Sequence, residues 1–392
     1  MKPPRVVVIY RFLPHYRRDL YVTIHRLLAR RGIGFAVWIG DQTGTSDAQR
    51  NDSITLPFSH VMPTLRIALR GRDFFLHRPP AAQPAPSLVI CEQAIKVPLY
   101  FWYYALSGLR RNGFAWWGQG RHFQNDGLQL MELAKRLLTR WSALWISYNG
   151  LTDRVLRDQL GVRPKRIWSI DNAIDTQALA AAVDACRAIG RAAIEAGLNC
   201  PPSSLRVIFC GGLHPSKNIR LLLAAFTILQ QRRPDAQLVV IGDGIDRPYV
   251  AEAAGSNPRI RMVGFAEGGL KARWLSIGDV FVCPGMTGLN ILDAFSTRLP
   301  FVTVDIPTHS PEIFYLVPGA NGLLVPPTPT ALADGITRAV ATDQSVMIAA
   351  AWETARFYTS QRMAARFTAA ILLLVRHPRY GRTRRQPAPA RR

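Results

Sequence analysis

The sequence predicts an α/β protein built from two doubly wound, Rossmann-like domains that face each other across a cleft. Short apolar runs alternate with amphipathic helical segments, and this alternation restarts after the stretch 200–204, CPPSS. Unbroken apolar runs are typical of parallel strands that are buried on both faces. A chain of 392 residues is long enough for two domains with separate cores.

The first domain opens with a predicted strand at 6–10, a helix at 16–31 and a strand at 35–39. The helix is inferred from helical spacing of its apolar residues, which are Leu20, Ile24, Leu27 and Leu28. Five arginines flank this apolar face. Two interpretations stay open for them: a solvated face of a core helix, or a helix that lies on a membrane surface.

The remaining elements of the first domain follow in the same order. Residues 41–87 give no clear pattern. The later predicted strands are 87–91, 114–117, 144–148 and 166–170. The predicted helices are 96–109, 133–141 and 151–160, followed by an Ala-rich helical stretch from 176.

The second half repeats the alternation. Its predicted strands are 207–210, 237–241, 260–263, 281–283, 301–304 and 322–325, and its last helices are 330–341, 346–357 and 361–375. We therefore predict a first Rossmann-like domain at 1–195 and a second at 196–358. A C-terminal helix at 359–376 is expected to pack back on the first domain, and a basic tail at 377–392 is expected to be disordered.

Composition bounds the class of protein. The net charge of +23 attracts polyanions such as an anionic lipid surface or phosphorylated ligands. Five cysteines form no CxxC pair, which favours a reducing compartment over structural zinc. No signal peptide is recognisable, and the most apolar run, 88–109, contains Glu92 and Lys96. A cytoplasmic protein, peripheral at the inner membrane face, is expected.

The stretch Pro284–Ala294, PGMTGLNILDA, carries the clearest sign of a ligand site. A strand enters a Gly-rich turn, and the backbone amides of Thr287, Gly288 and Leu289 are expected at the start of the next helix, where an anion is favoured. Asp293 follows on the helix and could accept hydrogen bonds from hydroxyl groups. The stretch alone is weak, because many α/β proteins contain such turns without a ligand.

Three further features lie at strand ends of the second domain. Gly211–Asn218 is a Gly turn with Lys217 just before a helix, where a lysine can hold a diphosphate leaving group or simply lie at the surface. Gly242 and Gly244 flank Asp243 in a second turn. A third segment, His309-Ser-Pro-Glu312, precedes Asn321-Gly322.

In this order and spacing the motifs resemble the C-terminal domain of the retaining family-4 glycosyltransferases, which have the GT-B fold. The resemblance covers about residues 205–345, and it continues with Asn172-Ala-Ile-Asp175 before the second domain. It implies a donor that is a nucleoside-diphosphate sugar, no cofactor and no metal. It implies catalytic roles for Lys217, Glu312 and His122, although His122 could equally be a surface residue. The donor-binding residues that it implies are Gly211, Gly212, Lys217, Asn218, Gly242, Gly244, Phe265, Thr287, Gly288, Leu289 and Asp293.

Two positions depart from the family pattern. Gly285 stands where the family has the first acid of its Glu-x7-Glu pair, and Gly212 stands where it has a diphosphate-binding arginine. Asp293 replaces the second acid, which contacts the ribose in the family. The donor site is therefore abbreviated, and either another cation replaces the lost arginine or activity is weak.

Acceptor contacts are expected after the strands of the first domain, where open α/β sheets bind ligands. The candidates are His15, Arg17, Glu92, Gln93, Gln119 and Arg121. A glycan or a polyprenyl-linked glycan is the expected acceptor, which places the enzyme in bacterial cell-surface polysaccharide synthesis. Two alternatives stay open: a degenerate GT-B protein that binds sugar nucleotide without transfer, and nucleic-acid binding, which is disfavoured because no recognised module appears.

Overall fold

The computed structural model describes residues 3–41, 53–69, 72–80, 83–92, 97–110, 113–120, 139, 143–341 and 343–377. Contacts divide the chain into two compact units. The first unit comprises Met1–Asp171 and Ser360–Arg392, and the second comprises Asn172–Thr359. Each unit is described by itself below.

The strands lie close to the predicted positions. In chain order they are β1 Arg5–Tyr10, β2 Gly34–Gly40, β3 Ser59–Met62, β4 Thr64–Leu69, β5 Arg72–His77, β6 Leu88–Glu92, β7 Gly113–Gly118, β8 Leu144–Ser147, β9 Ile167–Ser169, β10 Arg206–Cys210, β11 Gln237–Ile241, β12 Ile260–Gly264, β13 Val280–Cys283, β14 Phe301–Val304 and β15 Leu323–Val325.

The helices fill the intervals between strands. They are α1 Arg18–Ala29, α2 Pro98–Arg110, α3 Gly150–Arg154, α4 Thr176–Ile189, α5 Arg191–Gly197, α6 Ile219–Arg232, α7 Arg247–Ser256, α8 Gly268–Ser276, α9 Asn290–Ser296, α10 Pro329–Ala341, α11 Ser345–Phe357 and α12 Ser360–Arg376. A π-helical turn, Val155–Gln159, extends α3, and short 3-10 helices occur at His15–Arg17, Pro164–Arg166, Pro215–Lys217 and Pro311–Tyr315.

The sheet of the first unit has the order β3-β2-β1-β6-β7-β8-β9. Its strands pair in parallel, as their apolar runs predict. The core on one face is rich in aromatic residues, including Trp116 and Trp145. Strands β4 and β5 form a separate antiparallel hairpin. This hairpin and β3 lie in the stretch 41–87 that showed no clear pattern in the sequence.

The C-terminal helix α12 belongs to the first unit. It packs on α1, and the ring of Phe367 contacts Trp117 edge-on at 5.2 Å. Trp168 Nε1 donates to the carbonyl of Arg366 (2.9 Å), and Arg366 pairs with Asp171 (3.3 Å). Helix α12 is thus held to β9 and to Asp171, which follows it.

The second unit has a parallel sheet in the order β12-β11-β10-β13-β14-β15. Helices α6 and α10 pack together over a core of aliphatic residues. The division between units lies at Asp171/Asn172, not at the predicted 195/196. The physical reason is that α4 packs on α8 and α9 of the second unit, so residues 172–195 belong with it.

Two predicted features fall outside the description. Most of the predicted helix at 133–141 and the tail at 378–392 lie outside the described residues. Within the described part of the chain, no helix is both long and apolar enough to cross a membrane.

Candidate functional site

The turns that follow β10 and β11 pack backbone against backbone. Leu213 N donates to the carbonyl of Asp243 at 2.8 Å. A Cβ on Gly242 would lie 1.9 Å from the carbonyl oxygen of Gly211, and one on Gly244 would lie 2.1 Å from that of Leu213. Both glycines also have positive φ. The predicted donor-binding glycines therefore also join the two turns at the carboxyl edge of the sheet.

Lys217 lies at the same edge, at the end of the 3-10 helix Pro215–Lys217. Its side chain is buried, and Nζ donates to the carbonyl of Met286 at 2.6 Å. Met286 N donates in return to the carbonyl of Ser216 at 2.7 Å. The lysine loop and the turn after β13 are thus joined, which holds the ammonium group beside that turn. Asn218 follows in the left-handed region, with φ +50°.

This junction explains one departure from the family pattern. A Cβ on Gly285 would lie 2.4 Å from the carbonyl oxygen of Ser216 and 2.6 Å from the carbonyl carbon of Lys217. No side chain fits there without moving the lysine loop. The close packing of the lysine loop against Gly285 therefore explains why this position has no acid.

The second departure has a different setting. Gly212 is exposed, and a Cβ there would lie 3.0 Å from Cδ2 of His214. Burial and the nearby Lys217 lower the pKa of His214, so a neutral ring occupies this position near neutral pH.

The structure corrects the predicted anion-binding amides. Thr287 N donates to Nδ1 of His309 at 3.0 Å, and Gly288 N donates to Oδ1 of Asn290 at 3.0 Å. Two of the three amides are already used within the protein. The sequence prediction missed this because it treated the helix start as unpartnered, whereas Asn290 and His309 satisfy these donors. Leu289 N is not part of either contact.

His309 is held in one tautomer. Nδ1 accepts from Thr287, so Nε2 carries the proton that is donated to the carbonyl of Val304 at 2.8 Å. Burial lowers the pKa of His309, and Lys217 adds to this effect. The neutral ring links the turn after β13 to the loop after β14.

Asp293 is buried on α9 and paired. Lys271 Nζ on α8 donates to Asp293 Oδ1 at 2.7 Å. Burial opposes the charge of Lys271, but the Asp293 carboxylate outweighs it and the pKa of Lys271 is raised. Burial also raises the pKa of the neighbouring Cys210 thiol to about 11, so this thiol is neutral. One carboxylate oxygen of Asp293 is thus held by a cation, which leaves Oδ2 for another donor.

The sequence prediction did not include Lys271. A usable signal was present, since the chain has only six lysines among its 49 basic residues. Two of the six, Lys217 and Lys271, meet at this edge of the sheet. Both act electrostatically on Cys210, as does Asp293.

Glu312 lies in a hydrogen-bonded group at the start of the second unit. It is almost fully buried, and its Oε1 accepts from Nδ2 of Asn172 at 2.5 Å. Tyr315 Oη donates to the carbonyl of Asn172 at 2.7 Å, and its ring stacks on Tyr358. The acid thus holds the first residue of this unit, in addition to any contact with a ligand.

Arg17 lies near the carboxyl edge of the first unit's sheet, at the end of the 3-10 helix that follows β1. Its guanidinium is buried against three aromatic rings, with Cζ 5.0 Å from Tyr16, 5.3 Å from Trp117 and 5.9 Å from Tyr148. Nη1 donates to Sδ of Met363 at 3.4 Å, while Nε has no hydrogen-bond partner among the described residues. Burial raises the pKa of Glu92 at the end of β6, with Arg17 opposing that rise.

The other predicted residues are more scattered. His15, Gln119 and Leu289 are half-buried, and Phe265 is exposed. Gln93, Arg121 and His122 lie outside the described residues, so their predicted roles are not addressed by the structure.

Comparisons with known proteins converge on the second unit. Residues 204–342 match the family described as Glycosyl transferases group 1. The matched segment lies within the second unit, Asn172–Thr359. An α-D-kanosaminyltransferase from Streptomyces kanamyceticus is 29% identical over 139 residues, which are 34% of this chain and 35% of that protein. The alignment thus spans about a third of the curated relative's length.

Solved structures extend the similarity of fold to nearly the whole chain. A glycosyltransferase from Rickettsia africae has a TM-score of 0.68 at 13% identity, covering 96% of this chain and 100% of its own. Anabaena HepE in complex with UDP and glucose has a TM-score of 0.65 at 16% identity, covering 94% and 99%. Sucrose-phosphate synthase from Thermosynechococcus elongatus gives 0.66 at 16% identity, covering 95% and 99%. The predicted GT-B fold is confirmed.

Proposed function

We propose that this chain transfers a hexose from a nucleoside-diphosphate sugar to a glycan or polyprenyl-linked acceptor, with retention of anomeric configuration and without a metal ion. The observation that carries the proposal is the joint placement of Lys217, Lys271 and Asp293 at the carboxyl edge of the second unit's sheet. In open α/β sheets this edge is where ligands bind.

The two parts of the donor would be bound by groups of opposite charge, the ribose by a carboxylate and the diphosphate by an ammonium group. Asp293 Oδ2 would accept from the ribose hydroxyls, since Lys271 already holds Oδ1. The diphosphate would approach Lys217. One donor of its ammonium group is used by the Met286 carbonyl, so others are available to phosphate oxygens.

In the reaction, the bond between the anomeric carbon and the diphosphate oxygen breaks, and a bond from the acceptor oxygen forms. The acceptor hydroxyl passes its proton to an oxygen of the departing diphosphate. Negative charge then grows on the leaving diphosphate, and a cation fixed in advance stabilises it without reorganisation. Lys217 is in that situation because its loop is joined to the turn after β13.

The acceptor would be bound by the first unit, with Arg17 and Glu92 at its carboxyl edge. The net charge of +23 favours transfer at an anionic membrane surface. This agrees with a lipid-linked acceptor at the inner membrane face in bacterial cell-surface polysaccharide synthesis.

One observation favours a second candidate function. Gly285 has no room for an acid, and His309 and Asn290 use two of the turn's amides. A protein that binds the sugar nucleotide without transferring the sugar would need fewer groups at this point. Lys217 and Asp293 are compatible with that function also.

The test is thermal stabilisation by UDP-, GDP- and dTDP-sugars, with and without EDTA, followed by sugar-nucleotide hydrolysis with the stabilising donor. Binding raises stability by RT ln(1 + [L]/Kd). Stabilisation by one base series that EDTA does not change, together with release of the nucleoside diphosphate, is expected. Stabilisation without release, even when lipid-linked acceptors are supplied, would favour the second candidate. No stabilisation by any donor would overturn both.

A further inference from the structure

The hairpin β4–β5 reverses the usual distribution of polar and apolar residues. Its register pairs Leu65 with Leu76 and Ile67 with Phe74, so these four side chains share one face. Leu65 is 61% exposed, Ile67 41% and Leu76 39%. A solvated hairpin normally presents polar residues on its outer face. We call these four residues the outward face.

The opposite face of the hairpin is anchored. Phe75 is buried in the core of the first unit, and Arg11 Cζ lies 4.1 Å from its ring centroid. Thr64 Oγ1 and His77 Nδ1 share a hydrogen bond of 2.7 Å. The buried Phe75 therefore fixes the register and keeps the apolar residues on the exposed face. A one-residue slip would expose Phe75 and bury Leu65.

The charge around the outward face is positive. The segment 64–78 contains four arginines and one aspartate. Arg78, directly after β5, is exposed. Arg66 is exposed too, but the register places it with Phe75 on the opposite face, where it pairs with Asp73 at 2.8 Å. An apolar face beside arginines matches the boundary of an anionic bilayer, where apolar side chains enter and guanidinium groups meet phosphates. A second copy is a poorer fit, because it would bring like charges together.

An exposed aromatic residue lies on the neighbouring helix. Helix α2 packs against β5, and its Trp102 is 61% exposed. Tryptophan is favoured at the level of lipid headgroups because its ring is large and amphipathic.

We propose that the outward face of hairpin β4–β5 is the surface through which the first unit docks on an anionic lipid bilayer. This deepens the membrane partner named under the proposed function and rests on it. It assigns docking to the hairpin, whereas the sequence analysis left open a membrane contact through the basic helix α1.

The experiment is co-flotation of the full chain with phosphatidylcholine vesicles and with vesicles that also contain phosphatidylglycerol, at low and high salt. The test variant is Leu65→Ser/Ile67→Ser/Leu76→Ser, and Leu65→Glu serves if the triple variant does not fold. The matched control is Ile189→Ser/Val317→Ser/Val346→Ser, which changes three exposed apolar residues of the second unit. Stabilisation by the donor nucleotide is measured on every variant.

We expect the wild type and the control to bind the anionic vesicles. Loss of the three apolar anchors should weaken that binding about tenfold or more, with nucleotide stabilisation unchanged. Vesicle binding equal to wild type would overturn the proposal. So would a change from dimer to monomer with vesicle binding intact, which would assign the face to a second copy. A wild type that binds nucleotide but no vesicles would remove the membrane partner and leave the donor site standing.

Discussion

Among the described residues, each unit contains one buried arginine, and the two are held in opposite ways. Arg206 of the second unit donates to Glu195 Oε1 (2.7 Å), to Gln237 Oε1 (3.2 Å) and to the carbonyls of Ile277 (3.0 Å) and Pro201 (2.9 Å). Arg17 of the first unit has three aromatic rings and one thioether. Arg206 thus donates four hydrogen bonds, one of them to a carboxylate, whereas the structure shows for Arg17 a single donor contact, to sulfur.

The difference separates a structural cation from a candidate for ligand contact. Burying a charge is costly unless hydrogen bonds and an opposite charge compensate it. Arg206, the first residue of β10, meets that condition. Arg17 does not meet it, and such exceptions concentrate at functional sites. This supports the predicted place of Arg17 among the acceptor contacts.

The largest expected effect is on stability, and it tests directly whether Arg206 and Arg17 differ in their contribution to folding. Arg206→Met should lower the free energy of unfolding by about 3 kcal/mol, because it leaves the buried Glu195 with Arg191 alone. Arg17→Met should change it by less than about 1 kcal/mol, since Arg17 forms no ion pair with a carboxylate among the described residues, although its charge also acts on Glu92. Thermal unfolding of both variants measures this. Equal losses would mean that Arg17 is a structural residue like Arg206.

The next effect concerns lysines. Lys217→Ala should reduce turnover about 10²-fold, by comparison with the loss of one fixed donor to a developing anion. Lys165→Ala, an exposed lysine of the first unit, is the matched control and should leave turnover unchanged. The rate of nucleoside-diphosphate release gives the answer. An active Lys217→Ala protein would remove the proposed role in leaving-group stabilisation.

A smaller effect tests how Lys271 positions Asp293. The wild type should bind a ribonucleoside diphosphate about tenfold more tightly than its 2′-deoxy counterpart, since a hydrogen bond to a charged group is lost. Lys271→Met should abolish that preference, because the carboxylate is no longer oriented, and Lys271→Arg should restore part of it. Calorimetric titration measures both affinities.

The control for that experiment is Arg232→Met, which removes an exposed ion pair with Asp334 that lies between helices α6 and α10. If Lys271→Met weakened both nucleotides equally, the lysine would serve the fold alone.

The smallest effect is a pH dependence of stability. The folded chain lowers the pKa of His309 from 6.5 by burial, and that of His77 in the first unit to about 4. The unfolded chain therefore binds more protons below pH 6.5, so stability falls as pH decreases through that value. His309→Asn keeps an acceptor for Thr287 N and should flatten the dependence of melting temperature between pH 7.5 and 5. An unchanged dependence would show that His309 does not contribute.

Much of the architecture follows from the sequence. Apolar runs such as Val6–Tyr10 and Gln237–Ile241 are buried on both faces, so their pattern predicts parallel strands directly. Gly242, Gly244 and Lys217 were recognisable because backbone approach and strand-end position leave a local signature. The outward face of the hairpin was not recognised from the sequence, because the alternation of residues along β4 and β5 does not show which of the two faces packs on the core.

What only the tertiary structure decided is which groups are already paired. The sequence placed Thr287, Gly288 and Asp293 at one helix start, and it could not show that His309, Asn290 and Lys271 satisfy them from neighbouring positions. It placed the unit boundary at 195/196, just before a Pro-rich stretch, whereas packing of α4 on α8 moves it to Asp171/Asn172. Local pattern determines strands, turns and motifs, because these depend on neighbours in the chain. Pairing of charges and division of units depend on contacts between distant residues.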